Sequence, residues 1–172
     1  MLRLLTLAFV LTLATPAFAF EVGQKAPAWT LKDPNGKVYT LASFTKKVLI
    51  VWYEGAKSQE QNRSLKTELK DIYDTNKIAS SKWVSVGIAN MQEHWLANSI
   101  MMKIIATEQR KTNTLILCDP DGAMMKLYGF RNGRSNIWML DKDRVLRWKT
   151  SGPLEKNRSA QLVRLLRRLT NE

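Results

Sequence analysis

The chain has 172 residues, with 27 Lys and Arg against 15 Asp and Glu, for a net charge of +12. This length suits one ordinary domain with room for a core, and the charge favours contact with anionic surfaces without specifying a fold. A single cysteine excludes an intramolecular disulfide, and a single histidine with no Cys/His cluster supplies no metal-ligand set.

The chain opens with the layout of a secretory signal peptide: Arg3, an apolar stretch over 4–13, and Ala17-Phe18-Ala19 as a small-x-small cleavage signal. The apolar stretch falls short of the roughly 20 residues that span a bilayer. Cleavage after Ala19 is therefore expected, leaving 20–172 as an exported, soluble domain, periplasmic or else secreted. No lipobox cysteine lies near the cleavage point. Losing the leader removes only Arg3 from the basic count, so the positive balance persists. The basic residues are scattered, which disfavours nucleic acid as a partner.

Segments 28–33 and 37–41 flank Pro34-Asn35-Gly36, a turn cluster that predicts a short hairpin. The apolar run 48–53 reads as a buried central strand. Leu65, Leu69, Ile72 and Tyr73 then recur at helical spacing, predicting an amphipathic helix over 58–76. Ser58-Gln59-Glu60-Gln61 has the spacing of a capping box, with Ser58 as N-cap and Gln61 three residues on. Segment 82–89 predicts a strand, 92–109 a second helix and 113–119 a further strand. Asp119-Pro120-Asp121-Gly122 ends that strand as a turn.

Segment 123–128 predicts a short helix closed by Gly129, and 136–140 with 145–149 an antiparallel pair. The last helix, over 154–169, places Leu162, Leu165, Leu166 and Leu169 on one face. Arg158, Arg164, Arg167 and Arg168 share the other, a solvated face or a dock for an anionic partner. No internal repeat, low-complexity segment or interdomain linker interrupts the chain. The alternation of strands and helices, closed by a hairpin and a helix, predicts an α/β fold in three layers, α/β/α, around a mixed central sheet.

Gly23-Gln24-Lys25-Ala26-Pro27-Ala28-Trp29-Thr30-Leu31, Asp33, Asn35-Gly36-Lys37 and Thr40-Leu41 resemble the opening of the redoxin branch of the thioredoxin superfamily. That branch includes peroxiredoxins and TlpA-type thioredoxins. Asp119-Pro120-Asp121-Gly122, Tyr128-Gly129 and Ile137-Trp138-Met139-Leu140-Asp141-Lys142-Asp143 resemble its C-terminal half. The resemblance implies a thioredoxin-like fold with a redox turn after the central strand. At that turn the two sulfur positions fall on Lys57 and Glu60, neither of which forms a thiolate. The cis-proline position falls on Ser135, expected trans because a non-proline cis bond costs about 2.5–4 kcal/mol. A glycine position of the later turn falls on Arg144, expected to alter the turn geometry.

Glu60-Gln61-Asn62 and Leu140-Asp141-Lys142-Asp143, with Trp148 and Gly152, resemble the YtfJ-like periplasmic group, which implies an address and a fold but no reaction. The remaining chemistry is thin. No catalytic residue and no cofactor is implied, and no phosphate loop, nucleophile elbow or zinc-protease motif is present. His94 reads as a surface or helix-capping residue. Met91, Met101, Met102, Met124, Met125 and Met139 read as packing rather than soft-metal ligands. Cys118 ends an apolar run and reads as a buried small hydrophobe. Two functional classes follow. One is a redox-inactive binding or assembly module for an envelope protein or anionic partner, using Lys57, Ser58, Glu60 and Ser135. The other is a thiol-dependent oxidoreductase or one-cysteine peroxidase using Cys118.

Overall fold

A computed structural model describes residues 20–171. The expected signal peptide lies outside them. Seven strands form one mixed sheet: β1 (Thr30–Lys32), β2 (Val38–Thr40), β3 (Val48–Glu54), β4 (Trp83–Asn90), β5 (Ile116–Asp119), β6 (Asn136–Leu140) and β7 (Leu146–Ser151). Their order across the sheet is β2-β1-β5-β4-β3-β6-β7. The middle pairs β3–β4 and β4–β5 are parallel, whereas β3–β6, β6–β7 and both pairs of β1 are antiparallel. The helices are α1 (Arg63–Asp74), α2 (Asn98–Thr112), α3 (Ala123–Tyr128) and α4 (Lys156–Asn171). This is a three-layer, thioredoxin-like α/β arrangement.

The alternation of β3 divides the core. Leu49, Val51 and Tyr53 face α3, the N-terminal segment and the 3-10 turn Leu41–Phe44, where Trp29, Tyr128, Phe130 and Trp138 pack. Val48, Ile50 and Trp52 face the other way, onto Leu65, Leu69 and Ile72 of α1 and Leu162, Leu166 and Leu169 of α4. Each such side chain removed from water contributes about 1.5–3 kcal/mol. A third cluster joins Ile105 of α2 to Met91 and Cys118, with Met101 and Met102 packed against it. The six methionines thus serve the core, divided among all three clusters.

Several boundaries depart from the sequence pattern. The first helix starts at Arg63, not at Ser58, because residues 56–62 form consecutive turns. The second starts at Asn98, after the 3-10 turn Met91–Glu93, and runs to Thr112. Asn113, expected to begin a strand, instead closes this helix at φ 52°, a conformation its short polar side chain tolerates. Arg144 leaves the late turn geometry in the left-handed region, at φ 66°. Its buried guanidinium donates to the carbonyls of Lys47 at 3.0 Å, Asp141 at 3.2 Å and Phe44, which hold a conformation glycine would adopt freely. Among the described residues no helix is long and apolar enough to cross a membrane.

Candidate functional site

The C-terminal end of β3 feeds a polar turn that runs from Gly55 to Asn62 before α1 begins. Inside it, Ser58 is fully buried. Its Oγ accepts from the Gly55 N–H at 3.0 Å and donates to the Gly55 carbonyl at 3.3 Å, closing the turn on itself. Ser58 is therefore not an N-cap, and the capping box expected with Gln61 does not form. Asn62 occupies the N-cap position instead, and its side chain makes no cap bond.

Gln61 and Asn62 are committed elsewhere, each as a two-point clamp on a distant loop. The Gln61 amide donates to the Gly133 carbonyl at 3.1 Å and accepts from the Ser135 N–H at 3.0 Å. The Asn62 amide donates to the Gly152 carbonyl at 3.1 Å and accepts from the Leu154 N–H at 2.8 Å. A side-chain amide carries one donor face and one acceptor face, so it pairs with a peptide segment much as a strand would. The two clamps fasten the turn to the 133–135 loop and to the β7–α4 connection.

Ser135 follows a trans bond, as does every described residue. Its buried hydroxyl donates to Glu54 Oε1 at 2.5 Å. Lys66, one turn into α1, donates to Glu54 Oε2 at 2.5 Å and to the Gln59 carbonyl at 2.7 Å, with its ammonium 5.3 Å from the Trp52 ring centroid. Burial raises the Glu54 carboxyl above its ordinary value, while Lys66 and then Ser135 hold the rise back. Glu93 completes the wall. Its Oε1 accepts from the Gly133 N–H at 2.7 Å and from Asn90 at 3.1 Å. Its carboxylate lies so close to Gly55 that any Cβ there would collide with it. Asn136 bonds the Arg131 and Arg134 carbonyls at 2.9 Å each and fixes the loop from behind.

The proposed site residues thus separate into two sets. Ser58 and Ser135 are interior, each spent on a local bond. Lys57 stands in solvent, and Glu60 is exposed and paired with Arg63. Sequence reasoning missed Glu54, Lys66 and Glu93 as members of this cluster. It also assigned Gln61 to a cap. The available signal was the uninterrupted polar run 59–62 with two adjacent amides, which is more than one helix start needs. His94 differs from its expected surface or capping role: both ring nitrogens are buried and have no hydrogen-bond partner among the described residues.

Cys118 lies apart from this turn, in β5 beneath α2, and is buried. Burial, followed by the charge of Asp33, pushes its thiol up to about 11. At neutral pH it is protonated and shielded, the opposite of an activated nucleophile.

Comparison with known proteins follows the same lines. A family model described as the AhpC/TSA family matches residues 22–149, from the N-terminal segment through most of β7. No curated protein matches the chain. Among solved structures, a candidate thiol:disulfide interchange protein DsbE from Chlorobium tepidum superposes with a TM-score of 0.67 at 16% identity, covering 88% of this chain and 99% of its own. The exposed lipoprotein thioredoxin of Streptococcus pneumoniae gives 0.60 at 20% identity, over 81% and 100%. The thioredoxin domain of a thiol-disulfide oxidoreductase from Bacteroides vulgatus gives 0.62 at 17% identity, over 86% and 98%. At these identities the likeness establishes the fold alone.

Proposed function

Because this chain belongs to the AhpC/TSA family yet carries no thiol in the turn after its central strand, we propose that it is a redox-silent binding module for another envelope protein. The observation that carries this reading is the state of that turn. The atoms next to the end of β3 are a carboxylate, an ammonium, a hydroxyl and two amides, all engaged with one another or with backbone. Thiol–disulfide exchange needs a thiolate that an incoming disulfide reaches. The chain's one thiol is buried in another strand and raised in pKa.

On this reading Lys57 and Glu60 mark the former sulfur positions and present the outer rim of the turn. Ser58 and Ser135 are interior struts that hold the rim in place. The finer placement, within the YtfJ-like branch, rests on Glu60-Gln61-Asn62 and on Leu140-Asp141-Lys142-Asp143 with Trp148 and Gly152. An extracytoplasmic address is supported by the signal-peptide layout of 1–19 and by a fold neighbour that is an exposed lipoprotein thioredoxin. The second reading, a thiol-dependent oxidoreductase using Cys118, draws on family membership.

Insulin reduction and peroxide consumption by the mature protein decide between the two. The expected result is no turnover in either assay. Turnover abolished by Cys118→Ser would establish the thiol enzyme and end the binding-module reading. Lys57→Glu combined with Glu60→Lys tests the rim, by recovery of partners from periplasmic extract. Reduced recovery is expected, and equal recovery would remove the rim from the binding surface.

A further inference from the structure

α4 presents a cationic face to solvent. Arg158, Arg164, Arg167 and Arg168 are exposed, and none joins an ion pair among the described residues. Lys156 and Arg158 lie in the first turn of α4, where the helix dipole disfavours positive charge; the turn itself holds no acid, and Glu155 stands just before it. Arg164 and Arg168 stand four residues apart, and Arg164 and Arg167 three, so like charges repel along one side. Arg168, in the last turn, complements the helix dipole, but α4 carries no acidic residue to balance the four arginines.

Beside this face lies an open groove of about 460 Å³, between α4 and the edge strand β7. Trp148 and Leu165 give it an apolar floor continuous with the core cluster beneath, and Arg164, Arg168 and Gln161 form its rim. Arg158 sits over the Trp148 ring, 5.3 Å from its centroid. Guanidinium groups are planar forks that match carboxylates two bonds at a time, and they stack on aromatic rings. An apolar depression bordered along α4 by two such groups suits one hydrophobic side chain with carboxylates beside it.

From this geometry we propose that the groove between β7 and α4 docks an acidic protein segment, with an apolar side chain on Trp148 and Leu165 and flanking carboxylates on Arg164 and Arg168. Anionic lipid is the lesser fit, since Trp148 and Leu165 are partly buried against the core and do not project as a side chain that inserts into a bilayer interface does. The inference names a partner class for the binding-module reading, at a surface distinct from the turn after β3.

The test uses the mature protein and a fluorescein-labelled peptide, Glu-Asp-Glu-Leu-Glu-Asp-Glu, read by anisotropy. The comparison probes are the same peptide with Ser in place of Leu and vesicles of phosphatidylglycerol. The Leu peptide is expected to bind, and the Ser peptide to bind several-fold more weakly. Arg164→Glu with Arg168→Glu, both exposed, should weaken binding by about tenfold or more, as two exposed pairs turn from attraction to repulsion. Trp148→Ala should weaken it with circular dichroism unchanged; if that variant unfolds, Leu165→Ser supplies the same reading. Equal binding of the two peptides, no effect of the double charge reversal, or preference for vesicles would each overturn the proposal. Thiol turnover by Cys118 would overturn the binding-module reading without touching these results.

Discussion

Replacing Lys66 with Met isolates the electrostatics of the carboxylate at the end of β3. Methionine keeps an aliphatic stem over Trp52 but removes the ammonium that meets Glu54 and the Gln59 carbonyl. The Glu54 side chain is 11% exposed and that of Lys66 33%. Stripping the partner from a fully buried charge costs roughly 3–5 kcal/mol. Lys66 is a third exposed and water screens it, so about 2–3 kcal/mol is expected at pH 7. The pH dependence has a definite sign. Burial already raises the Glu54 pKa, and losing Lys66 raises it further. Above the ordinary value of 4.5, the folded variant therefore holds a proton that the unfolded chain has released. Stability is thus lost as pH climbs through this window. Below pH 4.5, with Glu54 neutral, the variant lacks only the hydrogen bonds to Gln59 and to the uncharged carboxyl and the ammonium contact with the Trp52 ring, about 1–2 kcal/mol and less than the loss at pH 7. Urea denaturation of wild type and variant at pH 4 and pH 7 measures both limits. The neutral-pH loss corresponds to roughly 4–12 °C in Tm for a domain of this size. Adding Glu54→Gln should recover most of it, because the orphaned charge is gone. An equal loss at both pH values, or less than about 0.5 kcal/mol at pH 7, would refute the assignment of Glu54 and Lys66 as a coupled buried pair.

Three further outcomes test the surrounding structure. Gln61→Ala leaves the buried Ser135 N–H without its partner and should cost about 2 kcal/mol in urea denaturation. A far smaller loss would mean that the clamp does not fasten the loop. Arg144→Gly relieves a left-handed residue, a gain of about 1 kcal/mol, but deletes three bonds to backbone carbonyls. A net loss of about 1–3 kcal/mol is expected on thermal melting, and a more stable variant would show that the guanidinium bonds contribute little. Cys118, with its thiol pushed up to about 11, should resist an aromatic disulfide reagent at pH 8 in the folded protein and react fully in denaturant. Fast reaction in the native state would show that α2 opens readily.

The parts legible in the sequence are those with a repeating local signal. β3 was visible as an apolar run, α3 and β6 emerged with their expected bounds, and the leucine and arginine faces of α4 separate as the spacing requires. The candidate site was legible only as a position along the chain. Ser58 and Gln61 have capping-box spacing, yet a hydroxyl and an amide take whichever partner the fold supplies. Ser58 found Gly55, three residues back, and Gln61 found a loop more than 70 residues away. The start of α2 was displaced for a related reason: Glu93, read as helical, is held by Gly133 and Asn90.

The sequence alone determined that the chain is one-cysteine, strongly basic and patterned as a layered α/β domain, because hydrophobic periodicity and composition are properties of neighbours along the chain. It also determined that no sulfur stands at Lys57 or Glu60. The tertiary structure decided what lines the end of β3: Glu54, Gln61, Asn62 and Lys66 of the 54–66 stretch meet Glu93, the 133–135 loop and the β7–α4 connection, four separated segments in all. It also set the arginines of α4 beside Trp148. Long-range polar pairing is chosen by three-dimensional proximity and by the need to satisfy every buried donor and acceptor, and neither constraint has a period that a sequence can display.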